Sequence, residues 1–172
     1  ADCTGHGVPG AMVSVVCHNA MNRAVREFDL SEPGAILNKV RDLVIAAFEN
    51  SGKDIKDGMD IALISIDWEN QMIEYAGANN SMYLIRKGEL HEYKADKQPI
   101  GKYSMNRDFK NHKVQFDKGD SVYISTDGYM DQFGGDNGKK LKYKPFKNQL
   151  IENNDIDIQQ QVKILDDFFE QW

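Results

Sequence analysis

The chain has 172 residues, of which 41% are hydrophobic and 28% are charged, so it is large and apolar enough to bury the core of one globular domain. Its 27 acidic against 21 basic residues give a net charge of −6, which argues against a protein that binds nucleic acid by neutralising phosphates. No apolar run reaches the length of a membrane span, so we expect no direct membrane contact.

The two cysteines, Cys3 and Cys17, are too few for a disulfide framework. Reduced thiols are typical of the cytoplasm, where we expect this domain even if a longer parent protein is tethered to a membrane. A zinc set could be drawn from these cysteines with the nearby His6 and His18, but adjacent side chains on a helix diverge by about 100°. We therefore favour a buried cysteine and a capping histidine over a zinc site.

The chain opens on an acidic, glycine-rich turn with the sequence DCTGHGVPG. Asp2 and the backbone carbonyl of Cys3 could offer oxygen ligands to a hard divalent cation. The first residue is not Met and lies directly before this motif, so we expect the chain to be a fragment of a longer protein.

Two consecutive helices are predicted after this turn. Pro9 fixes a first helical turn, and apolar residues then recur at helical spacing to about Phe28. Ser31 and Pro33 supply an N-cap and first position for a second helix, which Gly52 would end.

The pattern then changes to that of β-strands. Short turns, with hairpin chemistry at Glu69-Asn70 and Lys87-Gly88, separate apolar runs at 60–67, 72–77, 81–86 and 90–93. These runs predict an antiparallel meander, because connections this short exclude parallel crossovers.

The last third of the chain returns from strands to helices. Residues 109–116 alternate polar and apolar, and a largely buried strand at 121–125 leads directly to Asp127. A glycine-rich, charged loop at 134–140 precedes helical segments at 145–152 and 158–169. Two helices, a run of strands and two more helices favour an α+β layered architecture over a doubly wound parallel sheet.

One dense basic cluster interrupts this acidic chain near its end. Two interpretations are open for it, a solvated loop and a grip on phosphate, and the solvated loop is favoured. The cluster comprises Lys139, Lys140, Lys142, Lys144 and Lys147.

Asp127 could join Asp2 in binding metal. Each of these carboxylates lies beside an apolar stretch and is followed by glycine within a few residues. Two cations bridged by shared carboxylate oxygens could generate hydroxide and clamp a phosphoryl group, which predicts hydrolysis of a phosphate ester. Taken alone, each turn is explained more simply as an Asx-turn or a helix N-cap.

Several short motifs, taken in their order along the chain, connect this prediction with a known protein family. Together they resemble the SpoIIE/RsbU branch of the PPM (2C-type) metal-dependent serine/threonine protein phosphatases, over essentially the whole chain. The motifs are DCTGHGVPGA at 2–11, DGMDIAL at 57–63, YAGANN at 75–80, QPIG at 98–101 and STDGYMDQFGG at 125–135.

The resemblance implies a PP2C-like αββα sandwich of antiparallel sheets, formed here by one truncated domain over residues 1–172. It further implies a two-metal Mn²⁺ or Mg²⁺ site and hydrolysis of phosphoserine or phosphothreonine by metal-activated water. Such a domain is the output module of a bacterial signalling protein with an upstream sensor domain, and its phosphoprotein substrate in relatives is often an anti-sigma-factor antagonist. A catalytically incomplete pseudophosphatase that acts as a regulatory interaction module is the alternative.

The resemblance also assigns roles to residues. Asp2 would bridge both metals, Cys3 would contribute its backbone carbonyl, and Asp127 would bind the second metal, so that Asp2 and Asp127 carry catalysis. Asp60 is interpreted first as a structural or supporting carboxylate, and Asp131 as a cap. Further residues expected near the phosphate or behind the ligands are Gly5, His6, Gly128 and Asn79, the last in a loop where relatives often carry Gly-His-Asn-Pro.

Two family features lie outside this sequence. Relatives usually have a strand with a Gly-Asp motif shortly before the position of Asp2, and a last strand with an Asp-Asp pair. We therefore expect a fold that lacks an N-terminal and a C-terminal strand, and weak metal affinity because one carboxylate ligand is missing. Uncovered sheet edges would also favour self-association into a homodimer.

Overall fold

The computed structural model describes residues 1–49, 57–135 and 138–172. These ranges contain four helices and nine strands. The predicted helix stop at Gly52 lies outside them. In chain order the elements are β1 (Asp2–Cys3), α1 (Gly7–Arg26), α2 (Pro33–Glu49), β2 (Met59–Asp67), β3 (Met72–Ala78), β4 (Met82–Arg86), β5 (Glu89–Tyr93), β6 (His112–Gln115), β7 (Ser121–Ile124), β8 (Phe133–Gly134), β9 (Lys139–Lys140), α3 (Tyr143–Glu152) and α4 (Ile158–Gln171).

The two predicted N-terminal helices are confirmed. Helix α1 begins at Gly7, two residues before Pro9, and α2 begins at Pro33 as its proline predicts. Both helices bury a stripe of apolar residues three to four positions apart, which packs on one face of the first sheet. The stripes consist of Val13, Cys17, Ala20 and Ala24 on α1 and Ile36, Leu37, Val40 and Val44 on α2.

The first sheet has the strand order β1-β2-β3-β6, and all its neighbours are antiparallel. Side chains alternate across it, as the two-residue period of a strand requires. Met59 and Ile61 of β2 join the core beneath the helices, whereas Ala62 and Ile64 join a second core on the opposite face. This alternation fixes which residues of β2 face the second sheet.

The second sheet has the order β5-β4-β7, so the predicted single meander is wrong at one point. The hairpins β2–β3 and β4–β5 form as predicted, but β3 and β4 belong to different sheets. The chain turns sharply at Asn79, which has a left-handed φ of 60°, and the Tyr75 hydroxyl donates to the carbonyl of Asn80 at 2.7 Å. Tyr75 then packs against Met82 and Leu84 of β4 face to face rather than edge to edge.

The C-terminal helices cover the outer face of the second sheet. Tyr83 and Ile85 of β4 pack there against Phe146 and Leu150 of α3, with Leu165 of α4 beside them. The order from one surface to the other is helices, sheet, sheet, helices, which is the αββα sandwich expected. None of the described helices is both long and apolar enough to cross a lipid bilayer.

The segment predicted as a glycine-rich loop contains a short β-ribbon, which corrects that expectation. Phe133 pairs with Lys140 and Gly134 with Lys139. Strands of two residues give no periodic pattern that the sequence could reveal.

The buried ion pair of Asp120 stabilises the turn before β7. Its carboxylate, 5% exposed, accepts from Arg86 Nε at 3.0 Å and Nη2 at 2.5 Å, and from the backbone N–H of Asp117 at 2.9 Å. The hydrogen bonds from Arg86 are the main reason why the pKa of Asp120 is lowered from its usual value. A lowered carboxyl pKa stabilises the folded protein above the unfolded-state pKa and loses that effect as the pH falls.

We expect Asp120→Asn to lower the melting temperature at pH 7 by about 5 °C, because Arg86 is left without its best partner. The difference from the wild type should shrink as the pH falls through the range in which Asp120 becomes protonated. Thermal unfolding followed by circular dichroism from pH 7 to pH 3 measures both effects. The matched control is Asp117→Asn, whose carboxylate is 69% exposed and 3.7 Å from Arg86; an equal loss in this control would contradict the argument.

Candidate active site

The candidate site lies at one end of the space between the two sheets. Asp60 is the second residue of β2, and since Met59 and Ile61 face the helices, its side chain lies on the face toward the second sheet. Asp2 of β1 is its register partner, and directly opposed residues of antiparallel strands present their side chains on the same face. Two carboxylates far apart in sequence therefore occupy one end of the first sheet.

Asp127 approaches from the second sheet. Strand β7 ends at Ile124, and Asp127 follows three residues later, half-buried. A cavity of about 220 Å³ lies between the sheets at this end and is lined by Ala62, Asn80, Ile124 and the residues that precede Asp127. The carboxylate thus comes from the end of a strand that packs in the core between the sheets.

The three carboxylates share one electrostatic environment. The pKa of Asp60 is raised from its usual value, first by burial and then by the negative charges of Asp127 and Asp2, and only the hydrogen bond from Asn79 opposes the rise. A carboxyl group that feels other negative charges is more readily protonated, and a bound cation would relieve the repulsion. The site is therefore a region of concentrated negative potential in an acidic chain.

Asn79 orients Asp60. Its Nδ2 donates to Asp60 Oδ1 at 2.8 Å, and its own backbone N–H donates to the carbonyl of Asp96 at 2.9 Å. Asp96 is fixed in turn by its backbone N–H, which donates to the carbonyl of Gly77 at 3.0 Å. The left-handed turn at Asn79 thus aims its side-chain amide at the Asp60 carboxylate.

The opening loop is fastened to the start of β2 through Thr4. The backbone N–H of Thr4 donates to the carbonyl of Gly58 at 2.9 Å, and the N–H of Gly58 donates to Thr4 Oγ1 at 3.0 Å. The Thr4 hydroxyl also donates to Asp57 Oδ1 at 3.0 Å. These bonds hold Asp2 and Cys3 in register with β2.

Glycine is required where this loop enters α1. Gly5 has a φ of 86°, and a Cβ on Gly10 would lie 2.7 Å from the carbonyl oxygen of Gly5. His6 occupies the N-cap position with an exposed side chain that makes no capping hydrogen bond. Of the residues expected near the phosphate or behind the ligands, Asn79 is hydrogen-bonded to Asp60 and Gly128 follows Asp127 directly. Gly5 and His6 lie in the loop that leads into α1.

The sulfur of Cys3 faces away from the acidic site. Cys3 pairs with Met59, packs on the core beneath the helices and contacts Cys17 there. Burial, with a smaller contribution from Cys3, raises the pKa of the Cys17 thiol to about 12. This placement leaves the backbone carbonyl, rather than the thiol, as the group that Cys3 can offer to a cation.

The residue types fit a hard cation, whereas the spacing is looser than a closed metal site. Carboxylate and carbonyl oxygens are the ligands that Mn²⁺ and Mg²⁺ prefer. Within residues 1–49, 57–135 and 138–172, no three His, Cys, Asp or Glu side chains approach closely enough to hold one metal ion, and this also disfavours the zinc alternative. The pairing of Asp2 with Asp60, at a cavity lined by Ala1 and by the residues that precede Asp127, is the observation that favours a cation at this place.

Tyr143 is a neighbour of the site that the sequence did not reveal. It is the first residue of α3 and half-exposed, and its pKa is raised by burial and then by the charges of Asp127, Asp131 and Asp60. The β8–β9 ribbon carries the chain back from Asp127 to Tyr143, and this return path leaves no periodic signal.

Comparisons with known proteins place these features in a family. The family model for SpoIIE, described as Stage II sporulation protein E, matches residues 1–170. Among curated protein sequences, none matches significantly. Several solved structures are similar to this chain over most of its length.

The SiaA-PP2C domain of Pseudomonas aeruginosa superposes with a TM-score of 0.85 at 26% identity and covers 99% of this chain. The PP2C phosphatase domain of SpoIIE from Bacillus subtilis, solved with a fragment of its regulatory domain, gives a TM-score of 0.67 at 14% identity over 96% of this chain. PppA, a regulatory component of T6SS in Pseudomonas aeruginosa, gives 0.61 at 13% identity over 95% of this chain and 76% of its own. The match spans 65% of the SiaA chain and 45% of the SpoIIE chain.

Proposed function

This chain belongs to the SpoIIE family, and from that premise we propose that it is a metal-dependent phosphatase domain that hydrolyses phosphoserine or phosphothreonine in a protein substrate. The observation that carries the proposal is the convergence of Asp2, Asp60 and Asp127 at one end of the space between the sheets. The PP2C architecture shared with the SiaA domain supports it. A purely structural role would not explain why like charges are gathered at this end of the fold.

We assign Asp2, the backbone carbonyl of Cys3 and Asp127 to the binding of Mn²⁺ or Mg²⁺. Bound at these oxygens, the metal supplies a water acidic enough to act as a nucleophile at neutral pH and positive charge for the phosphoryl oxygens. Asp2 and Asp127 approach from different sheets, so a cation held by both would lie in the space between the sheets, where it could attract a phosphate ester. The hydrogen bonds between Thr4 and Gly58 hold the backbone next to Asp2 in place.

Asp60 and Asn79 serve this site indirectly. The Asp60 carboxylate adds negative charge beside Asp2, and the Asn79 amide keeps that carboxylate in one orientation and opposes its protonation. Gly128 continues the turn after Asp127, where a side chain would add bulk, and Gly5 and His6 lie in the loop that leads into α1. These residues would influence the phosphate or the ligands without binding metal themselves.

Replacing Asn79 by glycine should weaken Mn²⁺ binding about tenfold, because the amide that fixes Asp60 is lost while glycine tolerates the left-handed φ. Isothermal titration with Mn²⁺ measures the change. Asn70→Gly in the β2–β3 turn is the matched control, since its amide donates to Asp67 at 2.7 Å far along β2 from Asp60. Equal loss of Mn²⁺ affinity in both variants would contradict the role of Asn79.

The biological setting is proposed from the family. The domain would be the output module of a bacterial signalling protein, in the cytoplasm, with an upstream sensor domain and a phosphoprotein substrate such as an anti-sigma-factor antagonist. Residues 1–172 would form a single phosphatase domain that can pair as a homodimer through the edge strands of its sheets. PppA is a regulatory component of its own system, which is consistent with a regulatory role of the fold.

The test is Mn²⁺-dependent release of phosphate from a phosphoserine peptide. It compares the 172-residue chain with the same chain carrying any flanking sequence that its gene encodes. Release that depends on Mn²⁺ in either form supports the phosphatase. Mn²⁺ binding by a folded protein without release in both forms would favour the pseudophosphatase.

A further inference from the structure

The segment from Lys139 to the start of α3 folds back over the turn that follows Asp127. The backbone N–H of Lys142 donates to the carbonyl of Met130 at 2.8 Å, and the N–H of Leu141 donates to the carbonyl of Gln132 at 3.0 Å. Leu141 is buried beneath this segment. The backbone around Lys142 is therefore fixed beside the candidate site.

This segment carries the lysine cluster of the sequence, and its members differ in their partners. Lys140 Nζ is held by Asp131 Oδ2 at 2.6 Å, and Lys147 Nζ by Glu92 at 3.0 Å. The other three are exposed and make no ion pair within the described part of the chain. We call these three the lysine ribbon: Lys139, Lys142 and Lys144.

The lysine ribbon borders the turn that carries Asp127. The backbone N–H of Asp131 donates to the carbonyl of Asp127 at 2.9 Å, so Met130, whose carbonyl holds Lys142, belongs to the turn that begins at Asp127. Free positive charge thus stands next to concentrated negative charge, in a chain whose net charge of −6 repels acidic partners. Phe133, which is 71% exposed and pairs with Lys140 between strands β8 and β9, adds an apolar contact surface.

We propose that the lysine ribbon binds acidic residues that flank the phosphorylated serine or threonine of the substrate. The inference rests on the proposed phosphatase function and specifies its substrate class. An acidic protein segment fits better than a nucleic acid, because a polyanionic backbone crossing the site would meet Asp2, Asp60 and Asp127 along its length. The lysines instead offer a few charges beside the place where one phosphate must enter.

The test measures binding by fluorescence anisotropy with two labelled phosphoserine peptides, whose flanking residues are Asp in one and Asn in the other. The triple variant Lys139→Gln, Lys142→Gln, Lys144→Gln is compared with Lys87→Gln, Lys118→Gln, Lys163→Gln, which removes the same charge from exposed lysines elsewhere. Lys87 and Lys118 flank the ends of β4 and β7 that are remote from Asp127. Every substituted lysine is at the surface, so folding should be preserved in both proteins.

We expect the ribbon variant to bind the Asp-flanked peptide about tenfold more weakly, as three exposed ion pairs each contribute a factor of about two to three. Binding of the Asn-flanked peptide should change less than about twofold, and the control should match the wild type. High salt should weaken wild-type binding of the Asp-flanked peptide toward that of the variant. Unchanged binding in the ribbon variant, or equal weakening in the control or with both peptides, would overturn the proposal.

Phosphate release from the same peptides separates this proposal from the function on which it rests. Charge-selective binding without any release would leave the lysine ribbon standing and refute the phosphatase. Phosphate release at the same rate from the Asp-flanked and the Asn-flanked peptide would support the phosphatase and refute the proposed role of the lysine ribbon.

Discussion

Replacing Asp127 by asparagine is expected to lower Mn²⁺-dependent phosphate release at least about a hundredfold while the protein stays folded. A metal ligand supplies several kcal/mol of transition-state charge stabilisation through the ion that it holds, and asparagine removes the charge at constant size. Asp127 follows β7 rather than forming part of a ladder, and its charge disfavours ionisation of Asp60. Folding should therefore be unaffected or slightly stabilised.

The measurement combines the initial rate of phosphate release with thermal unfolding and Mn²⁺ titration. Asp42→Asn, which neutralises an exposed carboxylate on α2, is the matched control and should retain wild-type rates. Loss of release together with loss of Mn²⁺ affinity identifies a ligand. Unchanged release in Asp127→Asn would refute the assignment of Asp127.

The sequence predicted the helices and most strands because their signals are local. Pro33 begins α2, and the apolar run at 60–67 marks β2. Whether two neighbouring strands pair or pass to different sheets is decided by packing. The sequence predicted β3 and β4 as neighbours in one meander, yet the burial of Tyr75 against β4 places the two strands face to face in different sheets.

The candidate site likewise contains residues that local sequence motifs reveal and residues that only the folded structure brings there. Asp2 and Asp127 are visible in sequence because each belongs to a short motif with glycine. The position of Asp60 depends on the pairing of β1 with β2, which joins residues far apart in the chain. Asn79 and Tyr143 reach the site only through a left-handed turn and a two-residue ribbon, neither of which has a periodic pattern.

Replacing Gly58 by alanine should have the largest effect on stability among the variants considered. The added Cβ would lie 1.8 Å from the carbonyl oxygen of Ile100, well inside van der Waals contact. That oxygen accepts the backbone N–H of Met59 at 3.0 Å, and the N–H of Ile100 donates back to Met59 at 2.9 Å. Ile100 is fully buried, so the overlap cannot be relieved without breaking this bridge.

We expect Gly58→Ala to lower the free energy of unfolding by about 3 kcal/mol, measured by urea denaturation. Gly128→Ala is the matched control, because its Cβ would meet only Thr126 Oγ1 at 3.6 Å, an ordinary contact. Since Gly58 also bonds to Thr4, any folded Gly58→Ala protein should hold Asp2 less firmly and bind Mn²⁺ more weakly than its stability alone requires. A Gly58→Ala protein as stable as the control would show that the opening loop and the Ile100 segment can separate. The proposal that Asp2 is held in a fixed position would then have to be abandoned.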